Sequence, residues 1–308
     1  MDIQCPHSHE IMSSRDALLQ EALRPQQPLF PVPSEYPTVL SQQSILHSHC
    51  LIVDGQVVAH ANLWPRSLVD EVTGEALAVG LIGNVATALP MRGRGLSRAI
   101  LSHVEQIAKA EGMNALFLWS DLLEFYQNLG FASCGREYRH SFDAAALAGF
   151  VASSPIDCPP WQQIDESKAL KLLKTRFRVR ATLARSADEF RTLLSIPETY
   201  AFVMEGAKGV EGYAVLGKGY DMEGVVHEWG AKRPEDLLAL ARHAATALSL
   251  PELTILLPGT IGESWKAPMD RWASRSEAHP LALAKIIRPS AGLDEAIKRM
   301  FIWGLDSI

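Results

Sequence analysis

The chain has 308 residues, of which 47% are hydrophobic and 21% charged, and a formal net charge of -6. This is the composition of an ordinary globular protein, long enough for two domains because single cores rarely grow well past ~250 residues; it lacks the basic surface that sequence-independent nucleic-acid binding needs. Four scattered cysteines (Cys5, Cys50, Cys134, Cys158) form no C-x-x-C pair, and no signal peptide or membrane-spanning run stands out, so the expectation is a cytoplasmic protein with reduced thiols.

In chain order, a helix is expected over 15–23, ended by Arg24-Pro25 and a proline-containing loop. A hairpin follows over 45–53 and 56–63, turned by Asp54-Gly55, a pair suited to positive φ; Trp64-Pro65 should close its second strand. The apolar run 79–89 predicts a buried strand. After it come residues 92–97, Arg-Gly-Arg-Gly-Leu-Ser, and a helix to about 111 with Leu96, Ile100, Leu101, Val104, Ile107 and Ala108 on one face and Gly112 as its stop. A strand over 115–119 leads to a short helix over 121–129, with Asp121 and Glu124 as a capping box and Gly130 as its end. Strands over 131–134 and 137–142 should finish this unit.

Residues 151–165 are expected to be a linker, dividing a first domain (1–150, core about 40–145) from a second (166–308). Past an amphipathic segment over 167–174, a similar order begins again: a strand over 178–183, a helix over 186–196 capped by Ser186 and Glu189, a hairpin over 200–204 and 210–216, a strand over 225–229, a helix over 234–248 and a strand over 253–257. Both halves thus contain hairpin, strand, helix, strand, which suggests an internal structural duplication. Where the second copy should carry the arginine-glycine turn it has Gly230-Ala-Lys-Arg-Pro234.

Residues 92–97 carry the most specific chemistry. A glycine-rich turn between strand and helix leaves backbone N–H groups without partners, aimed at one point; the helix dipole adds partial positive charge there, and Arg92 and Arg94 add full charges. Such a turn holds a polyanion, most naturally a diphosphate. A plain βα turn that uses glycines for close packing is the bland alternative.

The stretch Gly83-Asn-Val-Ala-Thr-Ala-Leu-Pro-Met-Arg-Gly-Arg-Gly-Leu-Ser97 resembles the acetyl-CoA motif of the GNAT N-acetyltransferase superfamily, Arg/Gln-x-x-Gly-x-Gly/Ala, through Arg92, Gly95 and, imperfectly, Ser97. The later stretch Leu118-Trp-Ser-Asp-Leu-Leu-Glu-Phe-Tyr-Gln-Asn-Leu-Gly-Phe131 resembles the family's second block, a Phe-Tyr pair before Leu-Gly-Phe. The resemblance covers about residues 40–145; past 165 the chain is GNAT-like only in element order. It implies an α+β fold, a splayed mixed sheet flanked by helices, with acetyl-CoA as acyl donor in the splay and a second, degenerate GNAT-like domain. It implies that Val85, Ala86 and Thr87 offer strand-edge backbone to the pantetheine amides. The amides of Arg92, Gly93, Arg94, Gly95, Leu96 and Ser97 would surround the diphosphate, and Tyr126 would protonate the departing thiolate as an amine attacks the thioester directly. The acceptor would be a small-molecule amine or a peptide or protein amine, with no nucleic acid or membrane partner and a homodimer left open.

The strand before the turn has no carboxylate between Leu77 and Leu89, so the glutamate base of some family members is missing; water, His60 or Asp121 are the substitutes. Tyr126 also belongs to a stripe of Leu122, Phe125, Tyr126 and Leu129 that suits a plain core aromatic. Cys5-x-His7-x-His9 and His47-x-His49-Cys50 have irregular spacing for zinc, and no metal site is assigned. His227-Glu228-Trp229 stands on the second-half counterpart of the cofactor strand, as sheet core or as the lining of a cleft between the halves. Acetyl transfer to an amine is the primary reading. A non-catalytic acyl-CoA-binding or regulatory protein that kept the cofactor cleft is the alternative.

Overall fold

The computed structural model describes residues 2–24 and 30–308; the loop expected after Arg24 falls on 25–29, outside the described residues. Strand β1 (Asp2–Gln4) precedes helix α1 (His9–Leu23), which starts well before the expected boundary because the Ser8 side chain accepts a hydrogen bond from the Ile11 N–H at 3.3 Å. Two short helices, α2 (Val32–Glu35) and α3 (Pro37–Leu40), lead to the hairpin of β2 (Ser48–Val53) and β3 (Gln56–Asp70). Contrary to expectation, β3 runs straight through Pro65. On its β2 side the pairing stops at Asn62 and resumes with another strand only at Leu68, so a residue without an N–H sits in an open stretch of edge. Then come β4 (Ala76–Thr87), α4 (Leu96–Ala110), β5 (Ala115–Leu118), α5 (Leu123–Gln127), β6 (Ala132–Cys134), β7 (Glu137–Asp143) and α6 (Ala144–Leu147).

The second half comprises β8 (Ile156–Asp157), α7 (Glu166–Thr175), β9 (Ala181–Leu183), α8 (Ala187–Leu194), β10 (Tyr200–Gly206), β11 (Gly209–Leu216) and β12 (Val225–Gly230). It continues through α9 (Pro234–Ala247), β13 (Glu252–Pro258), α10 (Glu263–Trp272), β14 (Arg275–His279), β15 (Ala282–Ile286) and α11 (Leu293–Arg299). The expected cap of α8 forms, with Ser186 accepting from the Glu189 N–H at 3.1 Å.

These strands build two mixed sheets flanked by helices, an α+β architecture. One sheet has the order β1-β2-β3-β4-β5-β15-β6 with β9 against β3; the other has the order β14-β7-β13-β12-β11-β10-β8. Each contains a single parallel junction, β4 with β5 and β12 with β13, and each follows it with two antiparallel strands. The copies match position for position, but the expectation that 137–142 finishes the first unit is corrected. Strand β7 lies between β13 and β14 of the second sheet, and β15 takes the equivalent place between β5 and β6 of the first. The halves have exchanged strands. Likewise β9 pairs with β3 of the first sheet, and the segment expected as linker supplies β8 to the second. A continuous core that includes Phe117, Phe142, Trp229, Phe301 and Trp303 therefore belongs to neither half alone.

Candidate functional site

The parallel junction of the first sheet is short: β4 and β5 are in register only at Val79↔Ala115, Gly80↔Leu116 and Leu81↔Phe117. From Ile82 to Thr87, β4 continues against β3 alone, and its other edge faces a splay. A register break between His60 and Asn62 of β3 lies opposite Asn84, which adopts a left-handed φ of 50°. A buried polar chain holds this bulge. The Asn84 carbonyl bonds His60 Nδ1 at 2.8 Å, the Asn84 side-chain amide donates to Asn62 Oδ1 at 2.9 Å, and His60 Nε2 bonds Ser48 Oγ at 2.7 Å. His60 is fully buried, and desolvation drives its pKa down to about 3. Both ring nitrogens are taken, so the expectation that His60 could serve as a base is corrected: it is a brace for the bulge.

Beyond the splay, β4 passes into the turn. Gly93 and Gly95 have φ of 76° and 77°, and a Cβ on either would meet nothing within 4 Å, so their backbone conformation and not crowding is what favours glycine there. Gly95 is the N-cap residue of the 15-residue α4 and offers no side chain to its first turn. Among the described residues, the backbone N–H groups of Gly93 through Arg98 donate to no protein acceptor. These amides, the positive end of α4 and the exposed Arg92 and Arg94 side chains make an anion cradle. Arg92 Nε reaches the Thr87 carbonyl at 3.3 Å, and the Ser97 and Thr87 hydroxyls share a hydrogen bond of 2.8 Å, so the serine in place of the usual small residue ties helix to strand.

A cleft of about 410 Å³ opens at the splay, lined by Gly83, Asn84 and Val85 on β4, by Leu118, Trp119 and Ser120 after β5, and by Tyr126 on α5. Ala86 and Thr87 lie beyond its lining, nearer the turn. Tyr126 is buried between Phe125 and Phe131, with ring centroids 5.0 and 5.8 Å away, so it is both the core aromatic of the bland reading and a wall of the cleft. Burial pushes its phenol above the ordinary value of 10. The capping box expected at Asp121 and Glu124 does not form: the N-cap residue is Leu122, whose N–H is taken by Ser120 Oγ at 3.1 Å. Asp121 is exposed and lines no part of this cleft.

The rest of the cleft was not visible in the motifs. The cleft is also lined by Arg24 and Tyr36, the residues that follow α1 and α2, and by Asp221 and Met222 from the second half. Asp221 receives hydrogen bonds from Arg24 Nη2 and Tyr36 Oη, both at 2.7 Å, and remains 45% exposed. Ser307 and Ile308 wall the far side, where a Cβ on Gly83 would strike the main chain of Ile308. This segment is anchored between the sheets. Arg185, fully buried, binds Glu228 at 2.8 Å and Asp306 at 2.5 Å, and Lys218 Nζ donates to Gly304 O and Ser307 Oγ, both at 3.0 Å. Burial alone would raise the Asp306 carboxyl, but the Arg185 and Arg66 guanidiniums hold it below its ordinary value. Sequence periodicity carries no signal for these contacts, because every partner is distant along the chain.

The second sheet has the same splay, and among the described residues an indole fills it. Its parallel register ends at Val226↔Ile255, and Trp229 then crosses the gap, donating from Nε1 to the Leu256 carbonyl at 2.9 Å. Phe177, Trp265 and Trp303 pack round that indole at 4.6, 5.0 and 5.8 Å. His227, Glu228 and Trp229 are all fully buried, so these residues are sheet core. The Cys5 thiol donates to the Leu46 carbonyl at 3.7 Å, and His49 packs edge-on against His103; among the described residues no group of three or more His, Cys, Asp or Glu could hold a metal.

The first half thus combines a splayed sheet with an amide-lined strand–helix turn. Residues 17–134 match the sequence profile of the Acetyltransferase (GNAT) domain, and the chain carries a GNAT domain. No sequence relative stands out among curated proteins. Among solved structures, a conserved protein of Enterococcus faecalis, a probable N-acyltransferase, shares the fold with a TM-score of 0.68 at 16% identity over 93% of this chain and 73% of that one. A GCN5-related N-acetyltransferase of Kribbella flavida gives a TM-score of 0.64 at 17% identity over 92% and 71%. The N-myristoyltransferase of Saccharomyces cerevisiae, with bound myristoyl-CoA, gives 0.58 at 9% identity over 94% and 83%. Each covers both halves, so the fold is shared by the whole chain.

Proposed function

We propose that the protein transfers an acetyl group from acetyl-CoA to a primary amine, using the first-half splay as its only donor site. The observation that carries this reading is the junction of two features on one line: the unpartnered amides of Gly93 to Arg98 and, further along β4, the cleft walled by Tyr126. The Arg92 amide is given to the Leu89 carbonyl at 3.3 Å, which corrects its expected place among the diphosphate donors. In this reading the amides of Gly93 to Ser97 hold the diphosphate, aided by the Arg92 and Arg94 charges, and the backbone of Val85, Ala86 and Thr87 meets the pantetheine arm. The glycines fit that role physically, since both adopt the left-handed backbone conformation that turns successive amides outward.

The donor supplies an activated acyl carbon next to a good leaving group. The protein's part is to align an amine against it and to manage two protons. A CoA-like thiol has a pKa of ~8.5, below even an unperturbed phenol at ~10, so Tyr126 shares its proton with the departing sulfur more than it surrenders it. Burial keeps that phenol protonated, which suits a donor. Among the described side chains lining the cleft, Asp221 is the sole carboxylate, and Arg24 and Tyr36 already engage it. The incoming ammonium therefore enters past Asp221 and loses its proton to cleft water.

The test is thiol release from acetyl-CoA with a panel of primary amines. Tyr126→Phe should lower kcat by about a hundredfold and leave acetyl-CoA affinity unchanged. If acetyl-CoA binds but no amine raises thiol release above background, the enzyme reading fails.

A further inference from the structure

The loop 217–224 has two functional faces. One presents Asp221 and Met222 to the cleft described above; the other lines a separate cavity of about 280 Å³. Nothing in acyl transfer uses this second cavity. Its floor is apolar (Leu216, Leu248, Leu250), its walls carry the rings of Phe30, Tyr200 and Tyr220, and its rim holds Glu198 and Glu223.

The loop is held in shape by close packing. The Gly219 N–H donates to the Pro197 carbonyl at 2.8 Å, and the Tyr220 N–H donates to Glu35 Oε2 at 3.1 Å. A Cβ on Gly217 would strike the Glu198 carbonyl, so only glycine lets this strand end approach the 198 turn. At that turn Glu198 itself is held at a φ of 54°, a left-handed conformation unusual for its type. Its carboxylate accepts from the Tyr200 hydroxyl at 2.7 Å, and this bond keeps the phenol neutral up to about 12. Among the described residues neither Glu198 nor Glu223 forms an ion pair, so the rim carries two uncompensated negative charges. Tyr220 stacks on Phe30 at 4.6 Å and receives the Arg24 guanidinium 5.2 Å from its centroid, so its ring is already engaged and the aromatic surface left for a ligand is that of Tyr200 and of Phe30.

We propose that this cavity is a binding site for a small alkylated ammonium ion. Aromatic faces attract a cation through their quadrupole, and the two carboxylates add long-range attraction. The leucine floor has no oxygen ligands for a bare metal ion but covers methyl or methylene groups. The site is separate from the acyl-transfer cleft and does not depend on that reading.

The experiment is calorimetric titration of the full chain with choline and with 3,3-dimethylbutan-1-ol, its uncharged isostere, at constant ionic strength. Choline should saturate one site, and the alcohol should bind at least about tenfold more weakly. The double variant Glu198→Gln/Glu223→Gln should weaken choline by about tenfold or more, with acetyl-CoA affinity and unfolding temperature unchanged. Tyr200→Leu should weaken it as well. Saturating CoA should leave choline affinity as it was. The proposal is overturned if choline does not bind, if the alcohol binds equally well, if the double variant binds choline as the parent does, or if CoA displaces it.

Discussion

The two halves present the same opening in a β-sheet and put it to opposite uses. In the first, β4 and β5 part after Leu81 and the gap remains a cleft; in the second, β12 and β13 part after Val226 and the gap is closed by an indole. The residue types explain the difference. The first gap is bordered by Gly83 and leads to a turn whose two left-handed glycines leave amides bare. The second is bordered by Trp229 and leads to a helix, α9, with Pro234 at its first position and the Arg233 side chain bound to Asp236 at 2.7 Å. In both halves the splay falls at the parallel junction of the sheet. Whether it becomes a ligand slot depends on which side chain stands at its edge.

Changing one copy toward the other tests that contrast. The largest effect is expected for Gly95→Glu, which puts negative charge and bulk into the cradle and forces a side chain into a left-handed conformation. Like charges opposed in a binding site cost several kcal/mol, so acetyl-CoA affinity should fall by more than about a hundredfold. The turn is exposed, so the unfolding temperature should change little.

In the second half the order of effects reverses. Trp229→Ala should destabilise the fold by about 3–5 kcal/mol, as large core truncations do, read by denaturant unfolding, and should create no second acetyl-CoA site because no cradle follows β12. A variant that remained as stable as the parent would show that the plug is dispensable.

A smaller, graded effect comes from pH. His60 and His227 have pKa values lowered to about 3, and His49 to about 4, mainly by desolvation. Each therefore stays neutral in the folded chain while its unfolded counterpart gains a proton below about 6.5. The unfolded state binds more protons, so stability rises with pH between about 4 and 6.5 and is lost on acidification. Each imidazole contributes up to about 1.4 kcal/mol per pH unit in that window. Denaturant midpoints at pH 7 and pH 5 should differ in that direction, and His60→Gln should reduce the slope.

Local features were readable from sequence wherever the chain answers to its near neighbours. The turn at 92–97, the Ser186 cap and the strand–helix–strand order all follow from adjacent residues. The strand exchange was not readable, because β7 and β15 fit either sheet by periodicity and only long-range pairing decides between them. The same holds for the site. Arg92 to Ser97 and Tyr126 were named from motifs, while Arg24, Asp221 and Ile308 reach the cleft from places that no local pattern links to it. His60 was misjudged for a related reason: a histidine on a hairpin reads as available until both its nitrogens are found engaged.

Of the two matched splays, only the one that leads to the glycine turn is proposed to bind the donor. Calorimetric titration with acetyl-CoA measures this directly. The predicted result is one site per chain, abolished by Gly95→Glu and retained in Trp229→Phe. Two sites per chain, or one site indifferent to Gly95→Glu, would contradict it.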